Sequence, residues 1–234
     1  VLEIIVETLQ DALAAQAGGA TQLDFKSAFP IDGLTPSAGM MEAVLPALDV
    51  EVLLLVRPHA RSFVYSRDDI AVMCANIRLG RKLSADAFLL GALTGDGRID
   101  VDAMRAFQEA ADGLPLHLNL AWELAADRAQ ALETAIELGV KSARITGGAK
   151  TAMEGADQIR QLADLAAGRI DLLLARGVNE HTVGQLVATT GVSHAHAGRG
   201  VRSPQSPYGA VDEQKVRRLA AALDAAVASL SDAN

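Results

Sequence analysis

A single cysteine, Cys74, is the entire thiol content of these 234 residues. That excludes an intrachain disulfide and any multi-cysteine metal site within one chain. Set in the helical text of Asp69–Leu79, Cys74 reads as a small buried hydrophobe. Long apolar runs are missing too, since nothing approaches the ~18 uncharged residues of a membrane span. Leu53–Val56, bounded by Glu51 and Arg57, suits a buried parallel strand instead. Positive charge is in deficit. A net charge of -8 and a pI near 5.1 argue against nucleic acid or an anionic membrane as partner, because both attract basic surfaces. The first residues already read as a strand, which leaves no place for a signal peptide, and the expected location is the cytoplasm. No composition shift marks a second domain, so one unit is expected over residues 1–234.

What the chain has in quantity is repetition. Eight short apolar runs end in polar residues: Leu2–Glu7, Gln22–Ser27, Glu51–Pro58, Ala87–Leu93, Leu114–Glu123, Ser142–Gly148, Ile170–Val178 and Ser193–Gly198. Helical text follows each one. The first four helices are expected at Thr8–Gly18, Ala38–Leu48, Asp68–Leu83 and Asp102–Ala111. Four more are expected at Asp127–Leu138, Thr151–Ala166, Glu180–Thr189 and Asp212–Leu230, with Asp102, Asp127 and Asp212 as N-caps. Eight β/α units in this length predict an α/β fold, a (β/α)8 TIM barrel with its site at the C-terminal ends of the strands. Three longer loops fall on that face: Phe29–Ser37, His59–Arg67 and Arg199–Val211.

Strand side chains alternate, so inward positions can be followed in steps of two. Glu3 is in phase with Glu7, Asp24 with Lys26, and Asn119 with Glu123; His194, His196 and Gly198 share a face. The predicted ring at the barrel mouth therefore holds Glu7, Asp24, Lys26 and Glu123 as candidate acids and bases. Arg57, Asn119, Thr146, Arg176 and Arg199 are candidate substrate contacts, and His196 is a candidate proton shuttle or metal ligand. Buried charges need partners or a ligand. A self-satisfied network is the alternative, pairing Lys26 with Glu7, Arg57 with Asp24 and Arg176 with Glu123. Two glycine turns, Thr146-Gly147-Gly148 and Ala175-Arg176-Gly177, have the form of backbone phosphate cradles, although strand–helix geometry alone also calls for glycine. His59, His117 and His181 read as loop, strand-face and helix-surface residues.

Short motifs in series resemble the CutC copper homeostasis family. Phe25-Lys26-Ser27-Ala28 with Asp32-Gly33-Leu34-Thr35-Pro36-Ser37 is similar to its Glu-Leu-Cys-Ser-Ala … Gly-Gly-Leu-Thr-Pro-Ser stretch. Val56-Arg57-Pro58 with Phe63-Val64-Tyr65-Ser66, Gly91-Ala92-Leu93 with Asp96-Gly97, Thr146-Gly147-Gly148 and Gly177-Val178-Asn179 follow in the family's order. The resemblance implies a TIM barrel, a role in copper homeostasis and a homo-oligomer. The family's strand-end cysteine, proposed to bind copper, is Lys26 here, and a histidine and an arginine of the fifth strand are replaced around Asn119. Copper(I) favours thiolate and thioether donors, whereas lysine is a poor ligand while protonated.

Three functions are compatible with these residues. One is a copper homeostasis protein. Another is an enzyme of acid/base or hydrolytic type acting on a small anionic, phosphorylated or sugar-like substrate, with arginines holding the anion. The last is a barrel that binds such a ligand without turnover.

Overall fold

In the computed structural model, which describes residues 1–231, alternation of side chains sorts every barrel strand into two faces. The strands are β1 (Leu2–Val6), β2 (Gln22–Phe25), β3 (Glu51–Leu55), β4 (Ala87–Leu90), β5 (Leu116–Leu118), β6 (Ser142–Ile145), β7 (Asp171–Leu174) and β8 (His194–Ala197). They form a closed parallel barrel in chain order, and β1 pairs with β8 through Glu3 opposite His196. Outward residues such as Ile4, Leu23, Leu54 and Phe88 join the main hydrophobic core beneath the helices. Each such buried side chain contributes about 1.5–3 kcal/mol. The barrel interior is divided. Leu53, Leu55, Ala87 and Leu89 form a separate apolar cluster on the β3–β4 side, whereas β1, β2 and β6 send charged side chains inward and β8 sends His196.

The outer layer consists of α1 (Leu9–Ala17), α2 (Ala38–Val44), α3 (Arg67–Lys82), α4 (Val101–Ala111), α5 (Arg128–Glu137), α6 (Ala156–Ala166), α7 (Val183–Thr190) and α8 (Glu213–Ser231). The expected (β/α)8 barrel is thus what the chain forms; the last three residues of the expected 1–234 unit lie outside the described residues. Cys74 is buried in α3, with its Sγ against the Ala106 carbonyl. Asp127 caps α5 as expected, and Asp212 accepts from the N–H groups of Gln214 and Lys215. Asp100, not Asp102, caps α4 by accepting from Ala103 N–H. Two helices start late. α6 begins at Ala156 rather than Thr151 because Gly155 lies against the Thr146 carbonyl, where a Cβ would collide, and this folds the intervening turn back onto β6. α7 begins at Val183 rather than Glu180, since Asn179 and Thr182 tie the preceding residues into side-chain turns. The segment after β8 carries a short antiparallel pair, β9 (Arg202–Ser203) with β10 (Ala210–Val211). No helix among the described residues is long and apolar enough to cross a membrane.

His117 points inward from β5, with Nδ1 2.6 Å from Ser142 Oγ and no partner for Nε2. Burial, chiefly, pulls its pKa down to about 4. The folded value lies below the unfolded one, so the fold selects the neutral ring. Its contribution is complete above about pH 6.5 and declines as pH falls toward 4, by ~3 kcal/mol at the limit. Urea unfolding at pH 7 and pH 4.5 should show a shallower acid loss in His117→Asn than in the unsubstituted protein. Equal losses would remove His117 as the cause.

Candidate functional site

The floor of the barrel mouth is a chain of buried charges. Glu3 and Arg144 are fully buried; Arg144 Nε donates to Glu3 Oε1 at 2.8 Å, and its Nη2 donates to Oε2. His196, adjacent to Glu3 through the β1–β8 register, places Nδ1 2.5 Å from Glu3 Oε1. With Glu3 ionised beside Arg144, Nδ1 is the donor, so Nε2 carries the lone pair. That nitrogen lies 3.9 Å from Asp24 Oδ2. Burial, reinforced by the positive charges of Lys26, Arg144 and Arg176, holds the imidazole well below its usual pKa, and it is neutral at pH 7. Asp24 is fully buried, with Lys26 Nζ 2.6 Å from its Oδ2 and no hydrogen-bond partner at Oδ1. Burial pushes its carboxyl up, against the pull of the Lys26 ammonium.

Above this floor opens a cavity of about 910 Å³. It collects most of the candidates: Asp24, Lys26, Asn119, Glu123, Thr146, Arg176, Arg199 and His196 all line it. Glu123 does so by a route the strand alternation misses. β5 ends at Leu118, and Leu120–Leu124 is a 3-10 turn. From that turn the Glu123 carboxylate accepts from Thr146 N–H (2.9 and 3.0 Å), Thr146 Oγ1 (2.6 Å) and Gly148 N–H (3.1 Å). Thr146-Gly147-Gly148 is therefore an anion cradle already filled by the protein's own carboxylate. Asn119 uses Oδ1 to accept from Ala121 N–H at 2.9 Å. Arg176 and Arg199 are both exposed at the rim.

Two candidates stand outside the cavity lining. β1 ends at Val6 and the chain turns into α1, so Glu7 leaves the inward phase and accepts from Phe29 N–H at 2.9 Å. Arg57 is buried beneath the Phe29–Ser37 loop, donating through Nη1 to the carbonyls of Ile31 (3.0 Å) and Gly33 (3.1 Å) and lying over the Phe63 ring. It shapes that loop and does not face the mouth. The expected pairings also differ: Lys26 pairs with Asp24 instead of Glu7, and Arg176 pairs with Asp32 at 3.3 Å instead of Glu123. Conversely, Arg144 and Glu3 are site residues absent from the predicted ring. Their signal was a charged side chain sharing the inward phase of an apolar strand, Arg144 with Ser142 and Thr146, Glu3 with Glu7.

The charge of this cavity opposes that of the molecule. Six cationic side chains line it against three acidic ones (Asp24, Asp32 and Glu123), while the whole chain carries -8. Donors for a soft metal are missing: among the described residues the lone thiol is in α3, bonded to Ala106 rather than facing the mouth. Glu3, Asp24 and His196 bring one donor atom each within 4.8 Å of the others. Arg144 and Lys26 already neutralise those carboxylates, so a copper ion does not fit this floor without displacing Lys26.

The CutC family model matches residues 1–201. A CutC family protein of Rhizobium meliloti (strain 1021) is 34% identical over 239 residues, covering 97% of both chains. One from Xanthomonas axonopodis pv. citri (strain 306) is 34% identical over 238 residues, covering 96% of this chain and 99% of its own. Among solved structures, the CutC of Streptococcus agalactiae, named as a candidate copper homeostasis protein, superposes with TM-score 0.79 at 25% identity, over 85% of this chain and 97% of that one. Phosphoribosylanthranilate isomerase from Thermotoga maritima matches with TM-score 0.61 at 14% identity, over 96% and 98% of the two chains, a likeness of fold alone.

Proposed function

Because the chain belongs to the CutC family, whose barrel mouth here gathers a cationic cavity, we propose that it binds a small anionic molecule there, with Asp24 as a proton acceptor and Lys26 as its cationic partner at the floor. The excess of cationic side chains around the cavity, set in a chain of charge -8, is the observation that carries this reading. A cleft lined by one sign of charge concentrates ligands of the other, and desolvated walls strengthen the effect. Asp24, whose carboxyl is raised by burial and unpartnered at Oδ1, is the proton acceptor on this reading. Lys26 neutralises a developing negative charge beside it. Arg144 and Glu3 touch no ligand on this reading; they fix His196 so that Nε2 faces Asp24.

A role in copper homeostasis is the second reading, supported by the name of the Streptococcus agalactiae relative and by the Glu3, Asp24 and His196 donors. Calorimetric titration with malonate, beside copper(I) under bicinchoninate competition, separates the two. The anion reading expects saturable malonate binding, weakened about tenfold or more in Lys26→Met by loss of a charge-assisted hydrogen bond, and no competitive copper(I) uptake. Copper(I) uptake by the unsubstituted protein, with malonate ignored, would reverse the choice.

A further inference from the structure

The nature of the anion is written in the contrast between the two glycine turns at the rim. At the end of β6, Gly147 and Gly148 have φ of +69° and +73°, and the turn they make lets the N–H groups of Thr146 and Gly148 both donate to the Glu123 carboxylate. At the end of β7 the device recurs: Arg176 and Gly177 have φ of +64° and +81°. Here no carboxylate of the protein accepts from the backbone, and Gly177 N–H has no protein acceptor among the described residues. Arg176 bears a side chain in a left-handed conformation that favours glycine, a cost of the kind kept where a ligand is held.

A second turn completes the cradle. Gly200, in the Arg199–Val201 turn after β8, packs directly on the Val178 carbonyl, where a Cβ would collide. That contact brings the N–H groups of Arg199 and Gly200, also without protein acceptors, beside the β7 turn. The Arg199 guanidinium has no ion-pair partner among the described residues. Arg176 is shared only with the exposed Asp32, at 3.3 Å. The ends of strands seven and eight thus carry three open N–H donors and two guanidinium groups, with the exposed Asp32 carboxylate on Arg176 for compensation.

We infer that this β7–β8 cradle is a subsite for a phosphate monoester dianion, and that the molecule bound at the mouth is a small phosphorylated compound whose other end reaches Asp24 and Lys26; the inference rests on the anion reading above. A planar carboxylate, with one charge, satisfies one guanidinium. A tetrahedral dianion with three terminal oxygens can accept from donors carried on two adjacent turns. The β6 cradle, closed by Glu123, is not available to it.

Calorimetric titration with glycerol 3-phosphate, glycerol and malonate tests this, in the unsubstituted protein and in Arg199→Ala and Lys26→Met. Arg199 is exposed, so its substitution leaves the core intact. Glycerol 3-phosphate should bind and glycerol should not. Arg199→Ala should weaken the phosphate ester about tenfold or more, as expected for loss of one charge-assisted contact, and should weaken it by a larger factor than it weakens malonate. Lys26→Met should weaken malonate more than Arg199→Ala does. An unchanged glycerol 3-phosphate affinity in Arg199→Ala, or malonate binding with the phosphate ester ignored, would overturn the cradle and leave the anion reading standing. Absence of binding by every anion would remove both.

Discussion

Arg144→Met should cost about 3–5 kcal/mol of folding stability, the usual consequence of removing one partner from a buried ion pair. Glu3 is wholly buried, and its two oxygens are served by Arg144 and His196 alone. Without the guanidinium, the carboxylate must either remain charged in the barrel core or take up a proton, and both are unfavourable. Adding Glu3→Gln to Arg144→Met removes both charges together, and the pair should recover much of the loss because the desolvation penalty disappears with them. Urea unfolding of the two single variants and the double variant measures the coupling. If Arg144→Met costs less than about 1 kcal/mol, the value of an exposed pair, Glu3 is not held as an ion. The ion pair also has a consequence for the site. His196 takes its orientation from Glu3, so Arg144→Met should disturb ligand binding although Glu3 is not in the cavity lining.

Repetition along the chain made the barrel legible, because each strand had only to look apolar and each helix only to begin and end with ordinary caps. The site was harder, for reasons that differ by residue. Asp24, Lys26 and His196 obeyed strand alternation and appear at the cavity floor. Glu7 and Arg57 lie one and two residues past strands that end at Val6 and Leu55, where the chain turns and alternation lapses. Glu123 reaches the cavity from a 3-10 turn, a route that strand alternation does not describe. Arg144 and Glu3 stand 141 residues apart in sequence. Each alone is an expensive charge in an apolar strand, and only closure of the barrel shows that they neutralise one another. Arg176 meets Asp32 for a similar reason, through two loops that only the closed barrel brings together.

Lys26→Cys should convert the floor from an anion site into a copper(I) site. In the unsubstituted protein the Lys26 ammonium lies 2.6 Å from Asp24, so it already neutralises one member of the Glu3, Asp24 and His196 cluster. The substitution removes that charge and supplies a thiol where the CutC resemblance has its strand-end cysteine. His196 is already a competent second ligand: Nδ1 is engaged by Glu3, the ring is neutral at pH 7, and Nε2 retains its lone pair. Thiolate with imidazole is a donor set suited to copper(I), whereas carboxylate with ammonium is not. One copper(I) per chain should be bound against bicinchoninate by the variant and none by the unsubstituted protein, with the additional replacement His196→Ala abolishing the gain. Losing the ammonium has a second effect of predictable sign. Lys26 is what opposes the upward push of burial on Asp24, so in the variant that carboxyl titrates at still higher pH. Malonate binding should therefore fall about tenfold or more as copper(I) binding appears, since the charge-assisted donor has gone. Equal copper(I) affinity with and without the substitution would show instead that lysine at this position does not exclude the metal. The change at position 26 would then carry no functional meaning.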